Sequence, residues 1–109
     1  DRWGNTGFHK ACCAGHTEIV EILIEKSKYL KLDLSKGQGD YWGNTGFHFA
    51  CHNGHAGIVQ MLIDKSEFLK LDLTAISHGW GGTGYQLAVE QNNFDVIDVI
   101  KSKMPSLIE

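Results

Sequence analysis

The chain has no long apolar run. No stretch of its 109 residues approaches the ~20 apolar residues that a membrane-spanning helix needs, so a membrane is not an expected partner. It has no basic excess either. Ten Lys and Arg against thirteen Asp and Glu give a net charge of −3, so the footprint of a nucleic-acid binder is missing and no nucleic acid is expected. Cysteine is scarce and odd in number. Cys12, Cys13 and Cys51 cannot make an evenly paired disulfide framework. Reduced thiols and an intracellular setting, cytoplasmic or nuclear, are therefore expected. The chain shows no charged-then-apolar leader, so no secretory signal is expected in this stretch. Its length suits one domain with a modest core.

What the chain does have is itself, three times over. Trp-Gly-Asn-Thr-Gly-Phe-His at residues 3–9 returns unchanged at 42–48, and Trp-Gly-Gly-Thr-Gly-Tyr-Gln stands at 80–86. Thr6 to Thr45 is a step of 39 and Thr45 to Thr83 a step of 38. A period in this range indicates stacked repeats, and such arrays work as extended surfaces. The expected organisation is one domain over 1–109, with copies at about 1–39, 40–77 and 78–109.

Each copy reads as turn, helix, tight turn, helix, loop. In the second, the Gly43-Asn44 region is turn chemistry and Thr45 is the expected helix N-cap. Phe47, Ala50 and Cys51 make one apolar stripe, and Gly54 stops the helix in a left-handed cap. A second helix is expected from about Ala56 to Leu69, with Ile58, Val59, Leu62, Ile63 and Leu69 inward. The first copy matches, with Thr6 as cap, Phe8, Ala11 and Cys12 packing, and Gly15 as stop. The third keeps this frame in Thr83, Tyr85, Ala88, Val96, Ile97 and Ile100. It exchanges the first His for Gln86, the Gly for Asn92 and the second His for Asn93. Those polar exchanges, with Asp95, Asp98, Lys101 and Lys103, suit a C-terminal capping copy.

The string Gly-x-Thr-Gly-Phe-His-x-Ala-Cys-x-x-Gly-His-x-x-Ile-Val-x-x-Leu-Ile resembles the ankyrin repeat over nearly the whole chain. The resemblance implies an all-α, ankyrin-like solenoid of stacked helix–turn–helix repeats with projecting β-turn loops. It further implies fingers and first helices that line a concave face, and a partner that is another protein. By the same resemblance His9 and His48 bond turn backbone between repeats, and His16 and His55 open the second helix. Two departures stand out. Gly7, Gly46 and Gly84 occupy the family's usual proline position, which predicts a looser turn and a less stable chain. The period is also long, with near-identical surplus at 26–34 and 65–73, which predicts about one extra turn on the second helix.

Candidate binding residues fall into two groups. Trp3, Trp42 and Trp80 share the fingertip position and would form an aromatic ladder, either as interface anchors or by folding back to stiffen the fingers. Such a ladder could also pair with a second copy. Arg2, Asn5, Tyr41, Asn44 and Gly82 neighbour it. The second group is Cys13 and Ala14, His52 and Asn53, and Glu90 and Gln91, which differ from copy to copy within a constant frame. Other chemistry is not expected. The His-x-x-Cys spacing at His9–Cys12 and His48–Cys51 suggests zinc, but the next His lies beyond Gly15 or Gly54, so no metal or other cofactor is predicted. Cys13 has no acid placed to orient a histidine, so no catalytic residue is predicted. The glycine clusters at 37–40 and 79–84 lack the strand and lysine of a phosphate loop. The expected function is a non-enzymatic protein-binding module. The alternative is a structural spacer or assembly unit whose activity lies outside the fragment.

Overall fold

The computed structural model describes residues 2–30, 45–77 and 79–108; for 2–6 and 28–30 it describes the backbone alone. Seven α-helices occur among these residues: α1 (Arg2–Ala14), α2 (Thr17–Leu30), α3 (Gly46–Asn53), α4 (Ala56–Asp64), α5 (Ser66–Leu69), α6 (Gly84–Glu90) and α7 (Phe94–Lys103). A 3₁₀ turn follows at Pro105–Ile108. The first helices α1, α3 and α6 pack in one layer, and α2, α4 and α7 pack in a second. The core between them holds the predicted stripe: Phe8, Cys12, Val20, Phe47, Ala50, Cys51, Ile58, Leu62, Ala88, Val96 and Ile100 are buried. The fold is an all-α, ankyrin-like solenoid.

The caps follow the sequence closely. Thr45 lies in extended backbone before α3 and accepts the His48 N–H through Oγ1 at 3.3 Å, while its own N–H donates to His48 Nδ1 at 3.0 Å. Thr83 and Gln86 repeat this reciprocal box before α6, the Thr83 N–H donating to Gln86 Oε1 at 2.9 Å. Glutamine thus preserves the local half of histidine's job. Gly15, Gly54 and Asn92 all take left-handed backbone, at φ 83°, 80° and 57°.

Two expectations are corrected. Thr6 is not an N-cap, because α1 already begins at Arg2. The added turn supplies helical carbonyls to N–H groups that a capping side chain would otherwise have to satisfy. The second helix of copy two is not continuous over 56–69. It breaks at Lys65, restarts as α5, and turns at Lys70 with φ 57°. The turn brings both Leu69 and Leu73 into the core, where a straight helix would carry them past it. In copy one, α2 does run on unbroken to Leu30.

The glycines in the proline position have a steric role that looseness does not describe. A Cβ on Gly46 would lie 2.7 Å from Phe8 Cε2 and 2.9 Å from Cys12 Sγ. A Cβ on Gly84 would lie 2.5 Å from Phe47 Cε2 and 3.0 Å from Cys51 Sγ. Each phenylalanine fills the place that a side chain at the next copy's first helical position would need. Among the described residues, Gly7 has nothing within 4 Å of such an atom.

Candidate binding surface

The first helices end in a row, and hydrogen bonds fasten each end to the next copy. At the end of α1 the Cys13 carbonyl accepts from His55 Nε2–H at 2.8 Å and from Asn53 Nδ2–H at 2.9 Å. At the end of α3 the Cys51 and His52 carbonyls accept from Asn93 Nδ2–H at 2.8 and 2.9 Å. Last-turn carbonyls have no partner within their own helix, so the following repeat completes the cap. The glycine stops make room for it. A Cβ on Gly15 would sit 2.7 Å from the His55 ring, and one on Gly54 would sit 3.0 Å from Asn93 Oδ1. Asn93→Ala should therefore cost about 1–2 kcal/mol, read as a lower melting temperature.

The same row carries the copy-specific candidates. Cys13, Ala14, Asn53, Glu90 and Gln91 are exposed and His52 is half-buried. Cys13 Sγ accepts from Asn53 Nδ2–H at 3.1 Å, and Asn53 Oδ1 accepts from His52 Nδ1–H at 2.9 Å. The Asn53 amide thus stands between thiol and imidazole. The buried thiols are chemically quiet. Burial, reinforced by the neighbouring Cys13, pushes Cys12 up to about 12, and burial raises Cys51 as well. Among the described residues no group of three His, Cys, Asp or Glu is placed to hold a metal.

The finger of copy three is a tight turn closed by a Ser77–Gly82 bridge. The Ser77 N–H donates to Gly82 O at 2.8 Å, the Trp80 N–H donates to Ser77 Oγ at 3.0 Å, and Gly81 takes φ 82°. Trp80 does not project. It stacks on His52 with centroids 4.0 Å apart and planes 2° from parallel, and it meets the Phe49 ring edge-on at 5.4 Å. Gly82 is buried in the turn and presents no contact surface, because its carbonyl and N–H both face Ser77. Arg2, Trp3 and Asn5 lie in the first turns of α1 instead of a loop. Tyr41, Trp42 and Asn44 fall outside the described residues.

His48 ties α3 to the segment that leads into the finger of copy three. Its Nδ1 accepts the Thr45 N–H, so the ring proton sits on Nε2, which donates to the Ala75 carbonyl at 2.8 Å. This is the turn-backbone bond that the family resemblance implied. The profile described as ankyrin repeats, in three copies, matches residues 1–72. The chain belongs to the ankyrin repeat family. Ankyrin repeats are generally protein–protein interaction modules and generally non-enzymatic. Comparison with curated proteins finds no match. Beyond the matched segment, copy three of this ankyrin chain keeps the capping box, the left-handed stop and the backward hydrogen bonds. No helix among the described residues is long and apolar enough to cross a membrane.

The signal for Trp80's position was the pairing of His52 with the tryptophan of the next copy, visible only once the 27 intervening residues are folded. The Asn53–Cys13 and His55–Cys13 links were equally hidden, since each partner lies about one period away.

Proposed function

We propose that this chain is a non-enzymatic module that binds a partner protein across the row of first-helix ends and the fingers beside it. The observation that carries this reading is the Cys13–Asn53–His52–Trp80 chain of contacts. It holds a thiol, an amide and an imidazole–indole platform as one preorganised surface, continued by the exposed Glu90 and Gln91. These positions change from copy to copy while the frame beneath them does not. Trp80 serves both as a finger brace and as one face of the platform. Trp3 and Trp42 are proposed as further anchors, as are Arg2, Asn5, Tyr41 and Asn44. The free thiols suit the reducing cytoplasm or nucleus.

A display selection against the whole chain, followed by substitution, tests the reading. His52→Ala and Glu90→Lys should each weaken a captured protein at least ~10-fold, about 1.4 kcal/mol, without unfolding the chain. Trp80→Ala should weaken binding and also lower the melting temperature by about 5 °C, since it strips two aromatic contacts. If all three variants hold every captured protein at the original affinity, the surface lies elsewhere.

A further inference from the structure

The hydrogen-bond chain at the end of α3 decides which polar atoms are left to a partner. A main-chain carbonyl can only accept, so the Cys13 oxygen fixes the Asn53 amide with Nδ2 toward α1. Asn53 Oδ1 is thereby turned to His52, where at 2.9 Å it must meet a proton on Nδ1. The neutral His52 ring thus carries its one proton on Nδ1 and keeps a bare lone pair on Nε2. Among the described residues no hydrogen bond reaches that nitrogen. The ring lies flat on Trp80, with 4.0 Å between centroids, so an acceptor stands beside an aromatic platform.

Charge along the same edge has one sign. The first-helix ends and second-helix starts occupy residues 13–18, 52–57 and 90–95. These stretches hold Glu18, Glu90 and Asp95, all exposed, and no Lys or Arg. Exposed lysines gather toward the other ends of the second helices, at Lys26, Lys65, Lys101 and Lys103. Glu18 and Asp95 stand in the first turns of α2 and α7, where a helix favours an acid. Glu90 has no such reason. It closes α6, where the free carbonyls carry partial negative charge and disfavour a carboxylate. It also occupies the α6 position that corresponds to His52 in α3. Two acceptors are therefore offered one repeat apart.

We propose that the partner presents an extended basic segment to this row, with arginine or lysine side chains that donate to His52 Nε2 and to Glu90 and lie against the Trp80 indole. This rests on the binding surface proposed above and names its occupant. Charge complementarity favours a cation, and an indole face attracts one through its ring quadrupole. An acidic segment would meet only like charge and lone pairs. Neighbouring helices lie about 8–10 Å apart and an extended chain advances about 3.3 Å per residue, so donors three residues apart reach both positions. Asn53 is a positioning residue here, because it acts by holding the His52 proton on Nδ1.

The test titrates the whole chain with three hexapeptides: Gly-Arg-Gly-Gly-Arg-Gly, the same with citrulline, which keeps N–H donors and loses the charge, and the same with glutamate. At about pH 8, above the ordinary histidine range, the arginine peptide should shift the NMR signals of His52 and the Trp80 indole. It should bind at least about 5-fold more tightly than either other peptide, and Glu90→Gln should remove most of that margin. Asn53→Ala should weaken the arginine peptide and move part of the His52 ring proton to Nε2, read from the ring nitrogen shifts of the free protein. The fold should hold in that variant, since the Cys13 carbonyl keeps its His55 donor. No binding of the arginine peptide, equal binding of the glutamate peptide, or indifference to Glu90→Gln overturns the basic occupant. An unmoved ring proton in Asn53→Ala overturns the positioning role. The display selection separates this inference from the surface itself. Captured segments that need His52 but carry no arginine or lysine leave the surface standing and sink the occupant, whereas segments indifferent to His52, Trp80 and Glu90 sink both.

Discussion

Gly46→Ala and Gly84→Ala destabilise the protein, and Gly7→Ala stabilises it. One methyl group distinguishes the three variants, and the neighbourhood decides its sign. At Gly46 and Gly84 the added atom enters the contact radius of a buried phenylalanine and a buried cysteine. Those side chains are buried in the core, so overpacking should cost about 1–3 kcal/mol per site. In a domain of this size that corresponds to a fall of about 5–20 °C in melting temperature. At Gly7 the methyl meets no atom of the described residues within the body of α1, so the usual gain of about 0.5–1 kcal/mol over glycine should appear. The cause is tested by pairing. Phe8→Leu combined with Gly46→Ala should cost less than the sum of the two single changes, because the smaller side chain vacates the space the methyl requires. Thermal unfolding of the parent and the three variants closes the cycle. Strict additivity would show that the phenylalanine is not what the glycine accommodates.

His48→Ala should cost about 3 kcal/mol, because it removes a filled core position, frees the Thr45 N–H and strips the Ala75 carbonyl of its donor. His48→Gln should cost only about 1 kcal/mol, since Gln86 already performs the local cap before α6 and the Ala75 bond alone is lost. The two variants also separate in their pH response. Burial lowers the His48 pKa below its ordinary value of about 6.5, and the bond to the Ala75 carbonyl only partly opposes the shift. The folded state therefore prefers the neutral ring. Below about pH 6.5 the unfolded chain binds a proton that the folded chain resists, so stability falls as pH drops from there through the lowered folded value. Above that window this histidine's contribution is constant. Denaturant midpoints between pH 7.5 and 5 should slope downward in the parent and less so in His48→Gln. An unchanged slope would remove His48 as the source.

Much of this molecule is legible in its amino-acid string because the signals are local. A threonine followed three residues later by His or Gln offers the reciprocal cap, and the cap forms at Thr45 and Thr83. A Gly or Asn after the last helical turn specifies the left-handed stop, and it appears at Gly15, Gly54 and Asn92. The apolar stripe needs only the helical period. All of these features are settled within about one turn of chain. The candidate surface was legible in part. The variable positions at the helix ends could be named from copy-to-copy differences, but their links to the next copy could not.

What remained to the tertiary structure concerns residues about 40 apart. Glycine in the proline position read as looseness, but the neighbouring copy's phenylalanine makes it a matter of space. Trp80 read as a fingertip, but the ring of His52 draws it back over α3. Thr6 matched Thr45 in every neighbour of the repeated string yet does not open a helix, because α1 begins four residues earlier. The surplus after the second helix, nearly identical in two copies, is helical as far as Leu30 in one and breaks at Lys65 in the other. Identical strings part company here because packing between layers, and not backbone preference, selects among conformations that the local sequence leaves close in energy. The repeat string determines the frame, and stacking determines what each copy does with it.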